Sequence, residues 1–399
     1  MQAPGRAASA FRTWALAVFF VLVLDAAITR TSVLWGRLPT EDTINPEFAQ
    51  IAQTYKAARK LFHDPGRPAA ERVAVLGDSR VWFPAHAPYV ERALARLRPD
   101  LDVRVDDLGI FGVLAGDLEV LSRHLDRLDP TVVVLGLGPA NVMPDAKGRL
   151  GNVTAALLDT GWRDGPIPPP STLARVDRWG RTVWPLYRFR ELARGAIEQR
   201  VSPSPPDGRP LPDAFQSRRD FFAWMYRERA EPIAAAYEAW RAEPSLDRFV
   251  AYLRATGSRA FVAPDGPLRG TDRLAADGPA IPVLDALLAR LAEGPWQALV
   301  MLLPENPILD QDTDGRYHDV ALSDRAAAII TTAAARHDLP VVDARRWLPA
   351  ESFFDLVHLF PDLGSFEDPF AKELIRILDQ KSARPAASTA PDARSARRG

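Results

Sequence analysis

Val73-Ala74-Val75-Leu76-Gly77-Asp78-Ser79-Arg80 is the stretch that decides how this chain folds. Its first four residues are a continuous apolar run, the pattern of a parallel strand covered on both faces. Gly77 permits a backbone conformation that side chains disfavour, and Asp78-Ser79 ends the strand in a tight turn. In an open α/β sheet, ligands and chemistry gather at the carboxyl ends of the strands. A serine placed there is either a nucleophile or an ordinary turn or capping residue.

The same rhythm extends to both sides. Residues 45–62 space Phe48, Ile51, Ala52, Tyr55, Ala58, Leu61 and Phe62 as one face of an amphipathic helix. Residues 88–98 read as helix, and Val103 and Val105 as a second strand running into Asp107-Leu108-Gly109-Ile110-Phe111-Gly112. Leu118, Leu121, Leu125 and Leu128 mark a helix over 116–128. Val132 to Leu135 forms a third buried strand, ending in Gly136-Leu137-Gly138-Pro139-Ala140-Asn141. Farther on, Ala260-Phe261-Val262, Ala298 to Leu303 and Pro340 to Asp343 read as strands, with helices over 283–291 and 321–336. Strands alternating with helices predict a doubly wound parallel α/β sheet.

Between the two α/β halves the pattern breaks. Prolines cluster at Pro166 to Pro170 and from Pro203 to Pro212, among segments rich in arginine and aromatics. The spacing of Phe221, Phe222, Trp224, Tyr237 and Trp240 predicts a helical insertion with a small core of its own. Arg175, Arg178, Arg181, Arg188 and Arg190 either line a groove for an anionic or sugar-rich partner or form a solvated face. At the amino end, Trp14 to Leu24 is unbroken apolar sequence, continuing through Asp25 to Ile28, with Arg6 and Arg12 before it. A signal peptide competes with a transmembrane anchor here, but Asp25-Ala26-Ala27 is a poor cleavage site. The preferred reading is a single-pass anchor with a cytoplasmic amino terminus and a periplasmic or otherwise extracytoplasmic body. The expected order is thus anchor 1–30, first α/β part 31–149, helical insertion 150–245, second α/β part 246–380, and a disordered tail 381–399.

Composition narrows the function classes. A formal net charge of -1 gives no support to nucleic-acid binding, which favours a basic face. The absence of cysteine removes disulfides, thiol catalysis and zinc–thiolate sites. No Gly-x-Gly-x-x-Gly or phosphate-loop lysine follows the first strand, which ranks a phosphate-binding reading of Gly77 last.

The far end of the chain changes the reading of Ser79. Asp355-Leu356-Val357-His358 spaces a carboxylate and an imidazole so that one turn sets them side by side. An aspartate accepting from one imidazole nitrogen leaves the other as a general base, which a serine hydroxyl needs at neutral pH. Ser79, His358 and Asp355 are therefore the candidate catalytic residues.

This order of elements resembles the SGNH (GDSL-type) hydrolase superfamily, whose sequence blocks follow successive strands of a flavodoxin-like three-layer sheet. The resemblance covers about residues 70–145 and 295–380. It implies Ser79 as nucleophile, the Asp355–His358 pair as its relay, and an oxyanion hole from Ser79, Gly112 and Asn141. Two residues stand between Gly138 and Asn141 where the family has one. More narrowly, the chain resembles membrane-anchored members that serve cell-envelope acylation, of the D-alanyl transfer and alginate-acetylation types, which work beside a membrane-bound O-acyltransferase. The resemblance implies an esterase or O-acetyltransferase acting on an acylated polysaccharide or small ester, with no cofactor. The competing reading is a catalytically silent scaffold of the same fold that binds glycan or the acyltransferase partner.

Overall fold

The computed structural model describes residues 68–143, 212–257 and 274–383, apart from 275, 279, 320, 364 and 365, with helical positions among 13–23, 53–61 and 172–180. Five strands form one all-parallel sheet: β1 (Glu71–Gly77), β2 (Val103–Gly109), β3 (Val132–Leu137), β4 (Gln297–Leu302) and β5 (Val341–Asp343). Their order is β2-β1-β3-β4-β5, so the winding direction reverses between β1 and β3. Crevices at such a reversal, outside the carboxyl ends of the strands, are where doubly wound sheets bind ligands.

The apolar runs read from the sequence are buried on both faces because neighbouring side chains alternate across a strand. On one face Ala74, Leu76, Val133, Leu135, Val300 and Leu302 pack under helices α3 (Ala115–Ser122), α7 (Ile281–Glu293) and α8 (Leu322–Ala335). On the other, Val73, Val75, Val132, Val134, Leu299 and Met301 pack under α2 (Ala87–Leu97) and α9 (Glu367–Ala383). The molecule is therefore a three-layer α/β structure. Two boundaries differ from the sequence reading. The helix expected over 116–128 ends at Ser122 and continues only as a short 3₁₀ turn at Leu125–Arg127. Residues 381–383, expected to belong to the tail, are the end of α9, which runs through Ala383.

The insertion differs more. Over residues 212–257 the chain forms three α-helices, α4 (Arg218–Tyr226), α5 (Ala230–Ala242) and α6 (Leu246–Thr256), the last lying beyond the expected limit of 245. Their aromatics do not form a separate core. Phe221, Phe222, Tyr237, Trp240, Phe249 and Tyr252 share one cluster with Trp82 and Phe83 after β1 and with Phe354, Leu356 and Phe360 near the carboxyl end. Period alone says that a face is apolar, not which neighbour covers it.

Residues 13–21 and 23 are helical, with Trp14, Leu16, Phe19 and Phe20 exposed. Among the described residues, no helix is long and apolar enough to cross a membrane. Most of the expected anchor beyond residue 23, the expected strand at 260–262, Arg175, Arg178, Arg181, Arg188 and Arg190, and the tail beyond Ala383 lie outside the described residues.

Candidate active site

Ser79 opens α1 (Ser79–Trp82), a single turn seated directly on the carboxyl ends of the strands. The seat is made by glycine. A Cβ on Gly77 would stand 2.2 Å from Val81 Cγ2, and one on Gly109 would stand 2.7 Å from the Trp82 nitrogen. Asp78 caps the turn, its Oδ1 accepting from the Arg80 N–H at 2.9 Å. Asp78, and not Ser79, is the capping residue of the turn, which leaves the Ser79 hydroxyl for another partner.

That partner is His358, whose Nε2 lies 2.8 Å from Ser79 Oγ across 279 residues of sequence. The other ring nitrogen, Nδ1, is 2.7 Å from Asp355 Oδ2. An ionised carboxylate can only accept, so Nδ1 carries the proton and Nε2 is left with its lone pair toward the serine. Asp355 is itself fully engaged, Oδ1 accepting from the N–H groups of Val357 at 2.8 Å and His358 at 2.7 Å. The three residues therefore form one continuous hydrogen-bonded chain, with Asp355 and His358 buried and Ser79 half-buried.

The loop holding Asp355 and His358 is closed by Phe354 N–H donating to the His358 carbonyl at 3.0 Å and Phe360 N–H donating to the Ser352 carbonyl at 2.9 Å. Asn306, just beyond β4, donates from Nδ2 to the Asp355 carbonyl at 3.1 Å while its Oδ1 accepts from Ile308 N–H. From the insertion, the Tyr252 hydroxyl donates to the Phe354 carbonyl and the Tyr237 hydroxyl to the Glu351 carbonyl. Burial pushes the Tyr252 hydroxyl well above its ordinary pKa, and the Tyr226 phenol and Asp355 carboxylate reinforce this, so it stays a neutral donor.

The imidazole is also fixed from its faces. The rings of Phe354 and Phe111 lie nearly parallel to it, each at 13°, with centroids 5.7 and 6.4 Å away. Phe83 meets it edge-on at 5.8 Å. Such a slot restricts rotation of the ring and keeps water off its faces.

The remaining expected residues follow the ends of β2 and β3. Gly112 follows Phe111 in the turn after β2 and is exposed with φ 69°, a conformation that favours glycine. Asn141 lies in the 3₁₀ turn Pro139–Val142 after β3 and is fully buried. The extra residue between Gly138 and Asn141 is taken up by that turn, since Asn141 Oδ1 accepts from Gly138 N–H at 2.9 Å. Its Nδ2 is buried with no hydrogen-bond partner among the described residues. A buried donor left unmade costs on the order of 1–3 kcal/mol, which an anionic oxygen would offset. Compared with known proteins, the chain matches no family model and no curated protein.

Sequence reading gave no part in the site to Arg80 or to the three phenylalanines around His358, and it noted Asn306 only as the end of Pro304-Glu305-Asn306 after a buried strand, a feature shared with the narrower resemblance. Arg80 carried a signal too, a charge set between Gly-Asp-Ser and the apolar Val81-Trp82-Phe83. The insertion's part in holding the loop is testable. Phe221 sits 4.9 Å from Phe354 and 5.1 Å from Phe360, ring centre to ring centre. Phe221→Ala is expected to lower unfolding stability by about 3–5 kcal/mol in denaturant titration. A loss below about 1 kcal/mol would mean that the insertion does not anchor the loop.

Proposed function

We propose that this chain is a serine-dependent acyl-transfer enzyme of the SGNH type, an esterase or O-acyltransferase. The single observation carrying the reading is the unbroken Asp355–His358–Ser79 hydrogen-bonded chain at the carboxyl edge of the sheet. The strand order and the placement of Ser79, Gly112 and Asn141 after β1, β2 and β3 support the same reading.

In this scheme Ser79 Oγ attacks the ester carbonyl as its proton passes to His358 Nε2. The oxyanion formed is held by the N–H groups of Ser79 and Gly112 and by Asn141 Nδ2. Asp355 stabilises the imidazolium without taking the proton. Collapse expels the alcohol, protonated from Nε2, and leaves an acyl ester on Ser79. Water, or a hydroxyl of an acceptor sugar, then attacks that ester after giving its proton to Nε2, and collapse returns the proton to Ser79. Water makes the chain an esterase; a polysaccharide hydroxyl makes it an O-acyltransferase. No cofactor enters either half-reaction. The test is release of acetate from chromogenic acetates and from acetylated polysaccharide. A folded preparation that turns over neither substrate would reject the reading.

The exposed apolar side chains of Trp14, Leu16, Val18, Phe19, Phe20, Val21 and Val23 support placing this enzyme on a membrane, its body extracytoplasmic and acting on cell-envelope polysaccharide beside a membrane-bound O-acyltransferase. A reporter enzyme fused after residue 40 is expected to be active only when it functions outside the cytoplasm. Activity confined to the cytoplasmic reporter would overturn that topology.

A further inference from the structure

Arg80, the residue following the serine, is the least expected feature of the site. Its side chain is buried, yet it is not a surface ion pair that has folded inward. Nε lies 3.2 Å from both oxygens of Asp78, and Nη2 donates to Asp78 Oδ2 at 2.6 Å. The same Nη2 lies 3.5 Å from Asn141 Oδ1, on which Gly138 N–H also converges at 2.9 Å. Gly138 is extended, at φ -158° and ψ -170°, so its backbone conformation suits any residue. Space is what excludes a side chain there, because a Cβ would stand 2.0 Å from Arg80 Nη1. The guanidinium is thus pressed against the strand end that carries Asn141.

An asparagine amide can be turned over with little change in shape, and only its partners decide which end faces where. Here two donors, a backbone N–H and a guanidinium N–H, meet one end of the amide. Neither can accept, so that end must be the carbonyl oxygen, and the opposite end must be Nδ2. Arginine stays protonated at all working pH values, so its part of the constraint persists throughout.

We infer that Arg80 is a positioning residue: held by Asp78, it fixes the Asn141 amide so that Nδ2, and not the carbonyl oxygen, is the group presented for the oxyanion at Ser79. This rests on the acyl-transfer reading and adds a residue to it. A flipped amide would set a carbonyl dipole against the developing negative charge. A pre-set donor avoids that and needs no reorganisation when the charge appears. The arginine also ties the Ser79 turn to the turn after β3, so that nucleophile and donor are held by one side chain.

The test is a double-mutant cycle between Arg80→Lys and Asn141→Ala, read as kcat and KM for a chromogenic acetate. Lysine keeps the charge beside Asp78 but cannot reach both acceptors as a planar fork. With Asn141 present, Arg80→Lys is expected to lower kcat by about 10–100-fold and to leave KM within about threefold, part of the loss typical for one oxyanion donor. With alanine at 141, the same change is expected to alter kcat by less than about threefold, because no amide remains to be set. Gly138→Ala displaces the guanidinium from the opposite side and is expected to repeat the pattern should Arg80→Lys fold poorly. Equal losses in both backgrounds, or unchanged kcat with Arg80→Lys or Gly138→Ala, would overturn the inference while the acyl-transfer reading stands. Wild-type protein that turns over no ester would overturn the reading itself.

Discussion

Ser79→Ala and His358→Ala are each expected to lower ester turnover by on the order of 10⁵–10⁶-fold, with the double variant scarcely worse than either single one. The size follows from the geometry. Ser79 Oγ and His358 Nε2 are 2.8 Å apart and act as a unit, so removing either leaves no activated nucleophile. What survives is the contribution of oxyanion donors and binding alone. Neither change should unfold the protein, since Ser79 is half-buried and the capping of its turn is done by Asp78. Circular dichroism and denaturant midpoints of the variants give the control. Losses of less than about tenfold in kcat/KM would remove Ser79 from the chemistry. Losses that simply multiply in the double variant would mean that the two residues do not act as a unit.

The next largest effect is expected from Asp355→Asn, about 10⁴-fold in kcat. The substitution spares the loop, because an asparagine carbonyl oxygen can still accept from the N–H groups of Val357 and His358. Its amide nitrogen then faces His358 Nδ1 as a donor and forces the other tautomer. The proton moves to Nε2, which can no longer take one from Ser79. KM is expected to change little, since Asp355 is buried behind the imidazole and does not face substrate. A loss below about 30-fold would show that the carboxylate only braces the loop.

The parts of this structure that could be read from sequence are those in which local pattern and environment agree. Val73 to Leu76, Val132 to Leu135 and Leu299 to Leu302 are apolar without interruption and lie in the centre of the sheet, where both faces are covered. Ser79 and the Asp355–His358 pair were legible because each sits in a short motif with its own chemical logic. Their meeting was foreseeable from topology, since strand ends of a parallel sheet share one edge.

Other residues act against the usual habit of their type. Arginine is normally exposed, so a buried Arg80 holding Asp78 and Asn141 cannot be told from a surface charge without coordinates. Asn306 joins β4 to the Asp355 loop through a contact 49 residues away, which no spacing rule contains. The insertion had a legible character, helical and aromatic, but not a legible partner. Phe221 and Phe222 carry the same period whether they bury one another or brace Phe354 and Phe360, and only the tertiary fold decides. Its location against that loop makes the insertion part of the frame of the site. Removing residues 212–257 would uncover the loop that carries His358, and activity on small and polymeric esters would fall together.

The most direct test of the central claim is labelling of the wild-type protein with a fluorophosphonate, followed by mass spectrometry of the peptide that carries the adduct. Such probes react with a serine whose hydroxyl is activated by a neighbouring base and whose developing oxyanion is held. The account predicts a single phosphonylated residue, Ser79, formed in the wild type and absent from His358→Ala. No adduct on a folded protein, or an adduct on another serine that persists in Ser79→Ala, would contradict it.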